Sequence, residues 1–245
     1  MTSKEQVIDF PAPPADARIP YGDGEHHFGD LRIPAGPGPY PVAIVIHGGY
    51  WRAMRDLEYI GHLAAALTNL GVATWNVEYR RIGHAGGGWP GTFDDVLAAA
   101  KHLTKLPYPF DMSCVGAVGH SAGGQLALCL AKRLPLVKKV ITLGGVCDLR
   151  QAWEWNLGDG VVEQFLNCNI DLCREASPRE LLPLGKHQIV IHGTEDDTVP
   201  FAMARDYVAA ARAAGDDAQL VTVEGGDHFN VVLPRFAERV MLYFK

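Results

Sequence analysis

A chain of 245 residues, 48% hydrophobic and 20% charged, is long enough to bury a substantial core in one large α/β domain. Its formal net charge of −6, with no basic cluster, argues against nucleic acid as a partner. No apolar run approaches the ~18 residues that cross a bilayer, and the polar start Met1-Thr2-Ser3-Lys4 lacks the apolar centre of a secretory signal. The expectation is a cytoplasmic protein with no membrane partner, whose five cysteines are reduced thiols. Cys168 and Cys173 have no second ligand pair beside them, so no metal is expected.

In chain order, residues 1–17 are rich in Pro and Ala and read as a loosely docked arm. Short antiparallel strands are expected from Ala17 to Pro34, turning at Gly22-Asp23-Gly24. Val42-Ala43-Ile44-Val45-Ile46 is a solid apolar run, typical of a strand buried on both faces. It leads into His47-Gly48-Gly49-Tyr50-Trp51, then into a helix over 56–70 that stops at Gly71. A strand over 72–79 and a Gly-rich loop over 83–91 follow, and Thr92 is placed to cap a helix over 93–106, with Asp95 as a partial capping box.

Next, Cys114-Val115-Gly116-Ala117-Val118 runs straight into Gly119-His120-Ser121-Ala122-Gly123, and apolar residues at helical spacing follow at Leu126, Cys129 and Leu130. Strand, sharp turn, helix is the context in which G-x-S-x-G presents a nucleophile, with the first free helix N–H groups aimed at what it attacks. A further strand is expected over 137–143. Residues 150–186 break the alternation and predict a helical insertion, a possible cap over the sheet edge. Strands over 187–192 and 218–224 alternate with helices over 199–214 and 231–244. Strands alternating with helices of 10–15 residues predict βαβ units in a mostly parallel, doubly wound sheet, and no internal repeat divides the chain. The helix over 231–243 is either core packing or the surface of a homodimer.

In such a sheet the chemistry gathers past the C-terminal ends of strands. Of the ten histidines, His228 stands there, on the Gly-loosened loop after the last strand, and is the candidate base for Ser121. His47 is better placed to brace its own glycine loop, and His120 is turned away from the nucleophile by the elbow. The orienting acid lies in Glu195-Asp196-Asp197, with Asp196 favoured over Asp197, which has a helix to cap near Pro200. Ser121, Asp196, His228 is the nucleophile–acid–base order of α/β-hydrolases. Ala122, Gly49 and Tyr50 are the candidate oxyanion-hole N–H donors. Trp51, Trp89, Trp153 and Trp155 are candidate pocket walls, with core packing as the competing role.

The stretch His47-Gly48-Gly49-Tyr50-Trp51, together with Gly119-His120-Ser121-Ala122-Gly123-Gly124-Gln125, resembles the α/β-hydrolase superfamily. Within it the chain is similar to the branch of small esterases and kynurenine formamidase that carries an H-G-G-x-W loop, as are Asp148-Leu149, Ser177-Pro178 and Asp227-His228-Phe229. Esterases related to hormone-sensitive lipase usually have a third glycine where this chain has Tyr50. The resemblance implies a cofactor-independent hydrolase of a small ester or aryl formamide, working through an acyl-enzyme, with the roles above. An acyl thioesterase or a peptidase of the same fold, and a non-catalytic binder built on it, are the alternatives.

Overall fold

In the computed structural model, residues 10–244 are described; residues 1–9 of the expected arm and Lys245 lie outside them. Among the described residues, eight strands form one sheet: β1 (Ala17–Pro20), β2 (Phe28–Arg32), β3 (Tyr40–Ile46), β4 (Ala73–Val77), β5 (Phe110–His120), β6 (Lys139–Leu143), β7 (His187–Gly193) and β8 (Ala218–Val223). Their order is β1-β2-β4-β3-β5-β6-β7-β8. The β1–β2 and β2–β4 pairs are antiparallel and every later pair is parallel. The chain winds to one side of β3 with β4 and to the other with β5, so the loops after β3 and β5 open at the reversal point, where α/β sheets hold their ligands.

The main helices are α1 (Gly61–Asn69), α2 (Gly91–His102), α3 (Ala122–Arg133), α4 (Leu149–Glu154), α5 (Val161–Phe165), α6 (Cys173–Ala176), α7 (Phe201–Ala213) and α8 (Ala237–Met241). Two apolar layers sandwich the sheet. One joins Ile44, Ile46, Trp75, Leu126, Phe165 and Tyr207, and the other joins Val45, Leu63, Leu67, Val118, Ile191 and Val240. The central strands read as continuous apolar runs because both faces are covered: Val42 to Ile46 are all fully buried.

Several local expectations are corrected. The continuous helix over 231–244 is broken into short turns around Leu233-Pro234, with α8 only five residues long, because proline has no N–H to continue a helix. Its apolar side, Val231, Val232, Ala237 and Val240, packs in the second layer. Thr92 does not cap α2, which starts at Gly91 without a side-chain cap. Its hydroxyl instead donates to Arg80 O at 2.6 Å and accepts from Gly88 N, while Asp95 takes the Arg80 guanidinium at 2.7 and 2.8 Å. Those two residues therefore close the Gly-rich loop against the end of β4.

Residues 10–16 lie along β2 and α1: Arg32 donates to Pro13 O, Ile33 N–H to Asp16 Oδ2, and His62 to Phe10 O. The segment between β6 and β7 forms α4, α5 and α6 with short 3-10 turns. Phe165 and Val162 bury it against the body, and Trp89 N–H donates to Phe165 O at 2.8 Å. No helix among the described residues is long and apolar enough to cross a membrane.

Candidate active site

Ser121 stands between β5 and α3 with φ 54° and ψ −121°, a conformation a non-glycine residue holds only when its surroundings impose it. The turn closes because its neighbours lack side chains. A Cβ on Gly119 would sit 2.1 Å from Gly123 O, and one on Gly123 would sit 2.2 Å from Ile46 O. The loop after β3 packs directly on this elbow: a Cβ on Gly48 would lie 2.8 Å from Ser121 Cβ. Ala122 opens α3, so its N–H precedes the helix's own hydrogen-bond ladder.

The loops after β7 and β8 bring Asp196 and His228 together. His228 Nδ1 lies 2.8 Å from Asp196 Oδ2, with both side chains buried. The carboxylate accepts only, so Nδ1 carries the proton and Nε2 is left as an acceptor. Asp196 Oδ2 also takes His192 Nε2 at 3.1 Å, and Oδ1 accepts the N–H groups of Thr198 and Val199. Burial alone would raise the Asp196 carboxyl, but the hydrogen bonds from His192 and His228 overcome it and hold the group well below the ordinary carboxylate range. Asp196, not Asp197, is the residue that faces His228. Gly144, at the end of β6, lies beneath the pair: a Cβ there would come 3.1 Å from His228 Nδ1 and 3.2 Å from Asp196 Oδ2.

A buried relay links the glycine loop to His228. Gly48 N–H donates to Tyr59 Oη at 2.6 Å, and Tyr59 donates to His120 Nδ1 at 2.7 Å. His120 Nε2 therefore carries the ring proton and donates it to the backbone oxygen of His228 at 3.0 Å. Burial, followed by the nearby His228, pushes His120 well below the usual histidine range, which keeps it neutral. Because Gly48 N–H is taken, the amides of Gly49 and Tyr50 are the ones the loop can offer; both have positive φ, 104° and 57°.

His47 braces the loop from behind. Its Nδ1 faces Gly48 O at 2.8 Å, its Nε2 faces Glu78 Oε1 at 3.1 Å, and its ring stacks on Tyr79 at 4.2 Å. Burial would raise Glu78, yet the charge and hydrogen bond of His47, with Arg81 beside them, hold it down to about 2.

Ser121, His228, Gly49 and Tyr50 line one cavity of about 150 Å³. The four tryptophans expected to wall it lie elsewhere. Trp51 is fully buried, donates from Nε1 to Gln125 Oε1 at 3.0 Å and stacks on Phe165 at 4.6 Å. Its φ of 53° turns the side chain into the core. Trp89 is buried against Phe93 and Phe165. Trp153 is half-buried beside Leu157 and Val162, and Trp155 is exposed. The walls are instead Met54, Arg55, Tyr59, His120, Thr198 and Phe229. Only His120 and Phe229 carry a sequence signal, their places directly beside Ser121 and His228. Met54, Arg55 and Tyr59 lie in an irregular stretch and a single 3-10 turn, with no periodicity to point them inward. Among the described residues no cluster of three or more His, Cys, Asp or Glu could hold a metal ion.

Fold and site define a hydrolase of the α/β-hydrolase fold. The sequence profile described as the Prolyl oligopeptidase family matches residues 69–241, and the chain belongs to that family. It is 25% identical over 231 residues to kynurenine formamidase of Salmo salar, an alignment covering 87% of this chain and 74% of that protein. It is 24% identical over 250 residues to the probable isoprenylcysteine alpha-carbonyl methylesterase ICME of Oryza sativa subsp. japonica, covering 87% of this chain and 58% of the relative. Esterase B from Lactobacillus rhamnosis superposes with a TM-score of 0.82 over 98% of this chain and 89% of that one, at 18% identity, a likeness of fold.

Proposed function

We propose that the protein is a serine hydrolase that cleaves a small carboxylic ester or an aryl formamide through an acyl-enzyme. The observation that carries this reading is the buried 2.8 Å bond between Asp196 and His228 Nδ1, which leaves Nε2 free to accept in the cavity that Ser121 also lines. His228 Nε2 takes the Ser121 hydroxyl proton as Oγ attacks the substrate carbonyl carbon. The oxygen that gains charge is met by the N–H groups of Ala122, Gly49 and Tyr50, each donor supplying roughly 3–4 kcal/mol. The tetrahedral species collapses, the imidazolium protonates the departing alcohol or arylamine, and the acyl group stays on Oγ. Water, deprotonated by the same nitrogen, then releases the acid.

The cavity measures about 150 Å³, below the roughly 300 Å³ at which pockets for drug-sized ligands begin. That suits a formyl or acetyl group, and the rings of Tyr59 and Phe229 offer an aromatic leaving group a wall. The likeness to a kynurenine formamidase and to a methylesterase supports the same two bond types. The test is labelling by a fluorophosphonate together with turnover of N-formyl-kynurenine, p-nitrophenyl acetate and p-nitrophenyl butyrate. Wild type is labelled and turns over at least one of them, and Ser121→Ala loses both properties while keeping its circular dichroism spectrum. Near-normal rates in Ser121→Ala would overturn the serine mechanism. Preference for the formamide over the esters assigns the bond, and the reverse preference makes the protein a small-ester esterase.

A further inference from the structure

Among the described residues, Arg55 is the one cation in the wall of the cavity that holds Ser121 and His228, and no Asp or Glu lines that wall. Its guanidinium carbon lies 5.6 Å from the ring centre of Tyr59 and 5.4 Å from that of Phe229, so two aromatic rings position it. Its backbone is fixed as well: Arg81 Nη1 donates to Arg55 O, and Arg55 Cβ is where a Cβ on Gly49 would reach, at 3.0 Å. Among the described residues, no salt bridge joins the guanidinium to a carboxylate. The acid nearest the chemistry, Asp196, sits behind His228 with both oxygens already engaged by His228, His192 and two backbone N–H groups.

An arginine held by ring faces keeps its N–H fork for an outside partner, and its planar geometry matches a carboxylate in two parallel hydrogen bonds. Being already ordered, it loses little rotamer freedom on binding. Structural arginines elsewhere in the chain differ: Arg80 and Arg18 each clasp a carboxylate, of Asp95 and Asp30 respectively.

We infer that Arg55 is a substrate-binding residue that selects esters or amides carrying a carboxylate on the part of the molecule that departs. This rests on the serine-hydrolase reading above. The carboxylate is assigned to the leaving group because Arg55 is held against the rings of Tyr59 and Phe229, the wall offered above to a departing aromatic group. A cation serving the oxyanion instead would help every substrate alike, so the two roles separate by substrate.

The experiment compares 4-acetoxybenzoate with 4-acetoxybenzamide, and their 3-isomers, which share the acetyl group and shape but differ in charge. Wild type, Arg55→Lys and Arg55→Met are assayed by kcat/KM. The expected result is a preference for an anionic ester of about tenfold or more in wild type, as removing a hydrogen bond to a charged group predicts. The preference should shrink in Arg55→Lys and vanish in Arg55→Met, with the change in KM. No preference in wild type, or an equal proportional loss on both esters in Arg55→Met, overturns the inference. If wild type cleaves neither ester nor any substrate above, the hydrolase reading fails on its own. Calorimetric titration with 4-hydroxybenzoate then decides the Arg55 site without turnover: weaker binding to Arg55→Met than to wild type supports it, and equal binding refutes it.

Discussion

The hydroxyl of Tyr59 stands 2.7 Å from His120 Nδ1, and through it the loop after β3 is tied to the residue that precedes Ser121. Replacing Tyr59 by Phe removes the acceptor of Gly48 N–H and the donor to His120 at once. Two buried polar groups then lack partners, at about 1–3 kcal/mol each. The expected outcome is a fall of roughly tenfold or more in kcat with KM for a neutral ester little changed, since the loop proposed to supply the oxyanion donors loses its anchor. Steady-state kinetics with thermal unfolding on the same sample checks both.

Asp196→Asn should lower kcat by roughly 10³–10⁴-fold, because the amide can present its N–H to His228 and favour the wrong tautomer. Asp197→Asn should keep activity within a few-fold of wild type. Comparable losses in the two variants would show that the geometry of the acid has been misassigned.

The Glu78 carboxyl, held at about 2 against an ordinary value of 4.5, makes a pH-dependent contribution to stability. A lowered carboxylate stabilises the fold fully above the unfolded value of 4.5, and the contribution disappears as pH falls through the folded value of about 2. The shift corresponds to about 3 kcal/mol. Denaturant unfolding from pH 7 down to pH 2 should therefore show a loss across that window, and Glu78→Gln should start less stable at pH 7 and lack that part of the slope.

Trp51→Ala should cost about 3–5 kcal/mol of stability through the cavity it leaves beside Phe165. At a temperature where the variant is folded, KM for p-nitrophenyl acetate should stay within about twofold of wild type. A large rise in KM would return Trp51 to the substrate pocket.

Gly144→Ala places a methyl group at a φ of 54°, 3.1 Å from His228 Nδ1. The methyl presses on the acid–base pair from below, so kcat should fall by about tenfold while the melting temperature moves only a few degrees. An unchanged kcat would mean that the pair gives way freely.

The features the sequence made legible are those with a local cause. Gly119 and Gly123 around Ser121 are demanded by backbone contacts near 2 Å, so the elbow is written in the pattern itself. The meeting of Asp196 and His228 follows from chain order, because β7 and β8 end beside each other and their next loops converge. The tryptophan walls were not legible, because Trp51 turns on a single positive φ that no periodicity announces. Thr92 and Asp95 look like a capping box in sequence, and only the fold delivers Arg80 to them as a stronger partner. Arg55 and Tyr59 reach the cavity through an irregular stretch whose path depends on β4 and Glu78, distant in the chain.

The His120–His228 hydrogen bond fastens His228 through its main chain to β5, the strand that leads into Ser121. The hairpin-like turn Glu224-Gly225-Gly226, with Gly226 N–H bonded back to Val223 O, lies on the far side of that fastening. The same turn is tied to the loop after β7, because Gly225 N–H donates to Thr194 Oγ1 and Glu195 N–H donates to Gly226 O, so length added at Gly225 would pull on the loop that holds Asp196. Although Gly225 lies at the surface, a tag or epitope grafted there would disturb the placement of Asp196 against His228.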